Sequence, residues 1–426
     1  MKVLIVSHLP VATQNNMGKT FLSLFSQFDR QELCQLYIYP AIPDVDRCAG
    51  YYRVTDKEIL RSLLTLKHPG GALDHTLIQA SQGLYEDPED EGFYRNTKNK
   101  SPVRRMLRDG MWAMSRWYSA ELDRWLDREK PTCIFLAPGP AKFIYDVALK
   151  ISKKRQIPIV TYVCDEYYFV ERPKGLLARL RLKSLQKKIR QTLHRSAHLV
   201  VICDELKQEY SAHFGIDTTT LMTGTAYPIA GAPLPVEPQS ISYFGNIRCN
   251  RYRSLAQIGQ ALDAINAADG TAYRLKIYTS EKDATILSAF DGIASVELCG
   301  FVTGEAFNKA FSAAELLLHT EAFDETSIDA VRHSVSTKIA DSLACGKPLL
   351  AYGPAAVASM GHLLRNRCAL TATDPSQLEA MLRTAFTDGA ARHQAVEQAL
   401  VVAHRCHDSG QTGQRMRSVI EGAQQL

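Results

Sequence analysis

"VLIVSHLPVATQNNMGKTFLSLF", residues 3–25, runs from an apolar strand pattern through a polar loop into a Gly-Lys-Thr triplet. A phosphate-gripping P-loop needs Gly-x-x-x-x-Gly-Lys-Ser/Thr, because its first glycine lets the backbone curl around the phosphates before the lysine reaches them. Counting back from Gly18, that glycine would stand at position 13, which holds Thr13, and no glycine lies between. The stretch therefore reads as a strand, a loop carrying His8, Asn15 and Asn16, and a helix starting near Gly18 whose first backbone N–H groups point toward a ligand. A nucleotide hydrolase that depends on Lys19 is the competing reading.

The same alternation extends outward. "KVLIVS" at 2–7, "LCQLYIY" at 33–39, "TCIFLA" at 132–137, "IPIVTYV" at 157–163 and "HLVVIC" at 198–203 have the pattern of buried strands. Helical patterns separate them, including "RRMLRDGMWAMSRWYSAELDRWLDRE" and "FIYDVALKISKKR". Strands alternating with helices predict a parallel sheet with right-handed crossovers. "AYPIAGAPLPVEPQS", 226–240, is dense in proline and small residues and reads as a linker. Beyond it the alternation resumes with "ISYFGN" at 241–246, "YRLKIYT" at 273–279, "SVELCGF" at 295–301, "ELLLHT" at 315–320 and "PLLAY" at 348–352. The expected fold class is α/β, with two Rossmann-like doubly wound domains facing a cleft. Its parts are residues 1–228, a linker at 229–240 and residues 241–404, with a terminal helix at about 405–426 returning to the first domain. "YEDPEDEGFYRNTKNKSP", 85–102, reads as a polar, mobile loop.

Composition narrows the class. Of 426 residues, 46% are hydrophobic and 22% charged, as in an ordinary globular enzyme. A net charge of +5 is too mild to suggest a nucleic-acid partner. The 10 cysteines form no C-x-x-C pair and no zinc-spaced cluster, which suits reduced thiols in a cytoplasmic protein. No stretch approaches the about 20 apolar residues of a membrane span, so a membrane role would be peripheral.

"HSVSTKIADSLACGKPLLAYGP", 333–354, carries the most chemistry. Its hydroxyl-rich start, short helix, Gly346 at the C′ position, Pro348 and closing strand give clear start and stop signals. Ser334, Thr337 or Lys338, and Asp341 fall three or four apart and share a face. The helix start thus gathers free N–H groups, hydroxyls including that of Ser336, and a lysine, with a carboxylate one turn in. That set suits a nucleoside diphosphate, with Asp341 accepting from ribose hydroxyls. A well-capped surface helix with a solvated lysine and aspartate explains the same residues.

This segment resembles the donor-binding segment of retaining GT-B glycosyltransferases of family four, notably those that build bacterial surface polysaccharides. In them a Ser/Thr/Pro-x-Lys run, an acidic residue, Ala-x-Gly-x-Pro and a short strand recur. "ISYFGNIRCNRYRSLAQIGQAL" (241–262) and "VELCGFVTGEAFNKAFSAAELLLH" (296–319) are similar to the opening of the family's second domain and to a later strand, glycine turn, helix and strand. "HLVVICDELKQEYSAHFGI" is similar to the end of its first domain. The resemblance implies transfer of a sugar from a nucleoside-diphosphate donor to a polysaccharide or lipid-linked oligosaccharide, with the donor as substrate and no cofactor or metal.

It also implies roles for particular residues. Asp341 takes the place of a ribose-binding glutamate. His333 stands where the family commonly has a glutamate that contacts the donor sugar, with Glu321, Asp324 or Asp329 as stand-ins. Gly245 would let the backbone approach the donor. Asn246 fills a place that is often basic, which leaves Arg248, Arg251 and Arg253 to neutralise the diphosphate, foremost Arg251 with Lys338. Gly300 and Phe301 would lie near the base.

Breaking the anomeric bond develops negative charge on the departing diphosphate, and fixed cations with a helix N-terminus stabilise it. The Asp44–Asp46 "DVD" pattern of metal-dependent transferases lies far from these signals, in a loop. Asp165 and Glu166, directly after a strand, are candidates to orient or deprotonate the acceptor hydroxyl, and capping of the next helix is the plainer reading. His8 joins them as a loop residue after the first strand. "RPKGLLARLRLKSLQKKIRQTLHR", 172–195, sets leucines at helical spacing among lysines and arginines. It reads either as a peripheral contact with the anionic inner face of the cytoplasmic membrane or as a packed helix with a solvated basic face. Three other functions compete: a non-catalytic GT-B-like subunit that binds or activates a partner transferase, a sugar-nucleotide epimerase, and the hydrolase named above.

Overall fold

A computed structural model of the chain describes every residue except 14, 66, 81–84, 87–100, 170–174, 230–236 and 426. Most of the 85–102 loop, more than half of the expected linker and the start of the 172–195 segment lie outside the described residues. The chain divides into two compact units, Met1–Thr223 with Ser409–Leu426, and Gly224–Asp408.

The first unit carries strands β1 (Val3–Ser7), β2 (Leu33–Tyr37), β3 (Ala41–Ile42), β4 (Gly50–Arg53), β5 (Gly71–Ala72), β6 (Tyr85–Glu86), β7 (Cys133–Ala137), β8 (Ile159–Val163), β9 (Ser196–Val201) and β10 (Thr218–Thr220). Eight of them form a sheet in the order β10-β9-β8-β7-β1-β2-β4-β5, and β3 pairs with β6. Every pairing in the large sheet is parallel except β4 with β5. β1 is buried along all five residues, as a central strand covered on both faces must be. The chain builds outward from β1 on one side through β2 and later on the other through β7, so the topological switch point falls between β1 and β7.

The helix Asn16–Leu24 after β1 settles the Gly-Lys-Thr question. Asn15 caps it, its side chain accepting from the Gly18 amide at 2.6 Å, while the Lys19 amide bonds to the Asn15 carbonyl at 3.0 Å. These N–H groups are engaged by Asn15, where a P-loop would present them to phosphate. Gly18 is required by packing, because a Cβ there would lie 2.1 Å from the Ala12 carbonyl oxygen. Gly18→Ala is expected to cost about 1–3 kcal/mol in urea unfolding, whereas Lys19→Ala, at an exposed site, should stay within about 0.5 kcal/mol. The chain's last helix, Ser409–Gln424, packs against Asn16–Leu24, and Arg417 bonds both carboxylate oxygens of Glu32. That pairing holds the Glu32 carboxyl below its ordinary range.

The second unit has one sheet of six strands: β11 (Glu237–Phe244), β12 (Arg274–Tyr278), β13 (Val296–Gly300), β14 (Ala314–Thr320), β15 (Leu349–Tyr352) and β16 (Leu370–Ala372). Their order, β13-β12-β11-β14-β15-β16, is the doubly wound 3-2-1-4-5-6 arrangement with all neighbours parallel. Alternation along the strands fills two layers. Ile241, Leu275, Leu316, Leu318 and Leu350 pack on one side, and Phe244, Leu317, Leu349 and Ala351 on the other. The switch point lies between β11 and β14.

A buried histidine pair closes this unit. His362 and His407 bring their Nε2 atoms to 3.1 Å, and burial together with the neighbouring ring pushes the His362 pKa down to about 3. The unfolded chain therefore binds the proton better between pH about 6.5 and about 3, and stability falls as pH drops through that window, by at most about 1.4 kcal/mol per pH unit. His362→Leu is expected to reduce that slope, measured as thermal-unfolding midpoint against pH.

Candidate functional site

The switch point of the second unit gathers groups far apart in sequence. β11 ends at Phe244, and Gly245 follows, where a Cβ would meet the Tyr243 hydroxyl at 3.1 Å. Cys249 and Asn250 both take left-handed backbone angles, φ 54 and 56, and Asn250 Nδ2 donates to Asp324 Oδ2 and Ser327 Oγ at 3.0 and 3.2 Å. This turn aims the first residue of the helix Arg251–Asp269 at the end of β14. There Arg251 makes a two-pronged bond with Glu321, Nε to Oε2 at 2.7 Å and Nη2 to Oε1 at 3.0 Å. Burial opposes the Arg251 charge, but the bonds to Glu321 outweigh it and raise the guanidinium pKa.

Glu321 is itself fixed. Its amide donates to the Tyr352 carbonyl at 2.9 Å, its carbonyl accepts from Ser254 Oγ at 2.9 Å, and Gly353 leaves room for its Cβ, which a side chain there would meet at 3.0 Å. His319, buried on β14, bonds Ser359 Oγ at 3.0 Å and lies 3.7 Å from Glu321 Oε1. Burial lowers its pKa; Glu321 pulls it up, and the charges of Arg251 and Lys338 push it down. Lys338 thus acts on the same spot from the start of the helix Thr337–Ala344. Arg251, His319 and Glu321 meet at the carboxyl ends of β11 and β14, where open α/β sheets bind ligands, and the charge of Lys338 reaches His319 from the next helix start.

Before that helix, His333 is buried and Ser334 half-buried, in a turn held by the Ala358 amide donating to the Arg332 carbonyl at 2.7 Å. Ser336 is the N-cap, its hydroxyl accepting from the Lys338 amide at 3.4 Å, and Thr337 follows half-buried. Gly346 ends the helix at φ 71. One oxygen of Asp341 accepts from Thr225 Oγ1 at 3.0 Å and from the Ala226 amide at 3.1 Å, so this carboxylate holds the chain where it enters the second unit. A ribose would share it with that segment.

Other expected residues stand apart. Arg248 is exposed and paired with Glu281 at 2.6 Å, which lowers the Glu281 pKa to about 2. Arg253 lies over the Tyr252 ring, exposed. Gly300, at φ 75, ends the edge strand β13, and the next residue, Phe301, is 68% exposed. Asp324 caps the helix Glu325–Val331, and Asp329 is exposed.

In the first unit His8 follows β1 at the switch point. Its ring lies against Gly139, where a Cβ would come 2.9 Å from Cδ2, and edge-on to Phe143. Asp165 lines a small cavity with Pro138, Tyr145, Tyr167 and Tyr210. Glu166 Oε1 accepts from the Tyr168 and Phe169 amides and the Tyr210 hydroxyl, so it shapes its own loop. The "DVD" carboxylates tie loops as well: Asp44 holds Thr13, and Asp46 holds Arg30 and His75. Sequence reasoning missed His319 and the partnership of Arg251 with Glu321, and the one available signal was an acid directly after a buried strand.

No family model and no curated protein sequence matches the chain. Solved structures do. HepE of Anabaena in complex with UDP superposes with a TM-score of 0.63 at 11% identity, over 99% of this chain and 100% of that one. Sucrose-phosphate synthase from Thermosynechococcus elongatus gives 0.59 at 12% identity, over 99% and 98%. TarM gives 0.51 at 13% identity, over 70% of this chain and 57% of its own. The chain thus has two parallel-sheet α/β domains of the GT-B type.

Proposed function

We propose that this protein is a glycosyltransferase that binds a nucleoside-diphosphate sugar at the switch point of its second unit and passes the sugar to a polysaccharide or lipid-linked oligosaccharide. The observation that carries the reading is the Arg251–Glu321 pair at the carboxyl ends of β11 and β14, with the charge of Lys338 acting on the adjoining His319. A diphosphate leaving group gains negative charge as the anomeric bond breaks, and a guanidinium already oriented by a carboxylate meets that charge without reorganising. The amides at the start of Thr337–Ala344 add to it. These groups let the reaction run without a metal, and retention follows the family resemblance. His8 and Asp165 are the groups for the acceptor, with Glu166 positioning the Asp165 loop.

The Anabaena neighbour binds UDP and UDP-glucose, which makes UDP the first nucleotide to try. His333, where the resemblance makes a glutamate usual, favours a second reading, a non-catalytic GT-B-like subunit that binds or activates a partner transferase and binds donor weakly. A thermal-shift screen against UDP, GDP, TDP, CDP, ADP and ATP tests donor binding. One diphosphate at about 100 times its dissociation constant should stabilise the protein by about 2.7 kcal/mol, and Lys338→Ala should lose that response. No response to any diphosphate would contradict the assignment.

A further inference from the structure

The charges at the end of β14 fall short of the anion that the site is read as binding. Arg251 meets Glu321 through both carboxylate oxygens, at 2.7 and 3.0 Å, so this pair sums to zero. With the whole charge of Lys338 counted, the cluster offers at most one positive charge, and the start of Thr337–Ala344 adds about half of one. The diphosphate of a sugar nucleotide carries two negative charges. The group placed to make up the difference is His319.

His319 stands two residues past Leu317 on β14 and so on the same face of the sheet, which Ile339 and Leu343 of Thr337–Ala344 and Met360 and Leu363 of Ala358–Asn366 cover. Its Nε2 lies 3.0 Å from Oγ of the fully buried Ser359 and 3.7 Å from Glu321 Oε1. Burial keeps the ring neutral. Of the charged groups that reach it, Glu321 draws a proton to the ring, whereas Arg251 from the helix Arg251–Asp269 and Lys338 from Thr337–Ala344 oppose one. The helix Ala358–Asn366 presents the uncharged Ser359 hydroxyl, and β15 sets Ala351 opposite. On β11, Tyr243 acts on Arg251 and Glu321, and burial raises its hydroxyl pKa, so it stays neutral.

An anion seated against Arg251 and Lys338 cancels their opposition and leaves the pull of Glu321. A group whose proton affinity rises on binding takes up a proton as the ligand arrives, and by reciprocity the ligand binds more tightly where that proton is available. The Ser359 hydroxyl donates to a bare Nε2 and accepts from a protonated one, so the ring keeps this partner in both states. We infer that His319 takes up a proton from solvent when a nucleoside-diphosphate sugar binds, and becomes the third cation of the donor site. The inference rests on the reading of the second unit as that site.

The test is calorimetric titration of the full chain with the nucleoside-diphosphate glucose whose nucleotide answers in the thermal-shift screen, in two buffers of different ionisation enthalpy. The difference in heat counts the protons exchanged. At about pH 6 the wild type is expected to take up roughly 0.3–1 proton per donor bound, and its affinity to be roughly three- to tenfold higher than at about pH 8. His319→Gln, which keeps a hydrogen-bonding side chain beside Ser359, should take up none and bind equally at both pH values. His333→Gln should retain the uptake. A histidine that only holds β14 to its covering helix would not move the proton count. Donor that binds the wild type without proton uptake, or with the uptake intact in His319→Gln, would overturn the inference and leave the donor site standing. The wild-type count decides this even where the variant fails to fold. No binding of any donor fails the site itself, and the inference with it.

Discussion

Replacing Arg251 by alanine is expected to weaken nucleoside-diphosphate binding roughly 10- to 100-fold, the about 1.5–3 kcal/mol of a hydrogen bond to a charged group. The same change strands Glu321, 3% exposed, and should cost the second unit about 3–5 kcal/mol of stability. A double variant, Arg251→Met with Glu321→Met, separates the two effects. Apolar replacement of both partners relieves the stranded charge, so stability should return while binding stays lost. Isothermal titration beside urea unfolding reads both quantities. Wild-type affinity in the double variant would mean that Arg251 serves the fold alone.

In the first unit the largest stability effect is expected at Asp56. This residue, 1% exposed, accepts from Arg108 Nε at 3.1 and 3.0 Å and from Trp112 Nε1 at 2.7 Å. Asp56→Ala removes the carboxylate bonded to a buried guanidinium and to the Trp112 N–H, an expected loss of about 3–5 kcal/mol in urea unfolding. Asp56→Leu with Arg108→Met should recover most of it. The pair also supports His8: Arg108 lies over the Phe143 ring, Trp112 stacks on that ring at 4.2 Å, and Phe143 meets His8 edge-on. Loss of Asp56 alone is therefore expected to loosen His8.

How far the fold could be read from residues depended on burial. Fully covered parallel strands such as Val3–Ser7 and Cys133–Ala137 announce themselves as unbroken apolar runs, and the reading found them. Gly50–Arg53 carries a glycine and an arginine in four residues, and its place in the sheet depends on pairing with β2, so no local pattern marked it. The single helical pattern read across 104–129 is two helices, Pro102–Met114 and Ala120–Glu129. Ser119 caps the second, accepting from the Leu122 amide at 3.1 Å, a local signal that the surrounding aromatic residues obscured.

The site divided along similar lines. Ser336, Thr337, Lys338 and Gly346 lie within one segment, where capping and stop signals are local. Arg251 and Glu321 are separated by the helix that Arg251 begins and by three strands, β12, β13 and β14, with the helices between them, and only the order of strands in the sheet joins them. Asp341 lies in the same segment as Lys338, but its bonds to Thr225 and the Ala226 amide could not be read, because nothing in the sequence places that stretch beside it.

The most direct test of sugar transfer is to incubate the protein with labelled nucleoside-diphosphate sugars, UDP-glucose first, and measure released nucleoside diphosphate. Release from one donor, lost in Lys338→Ala and in the double Arg251/Glu321 variant, is the predicted result. Donor that is bound and recovered intact, or converted to an epimer without release of diphosphate, would contradict it.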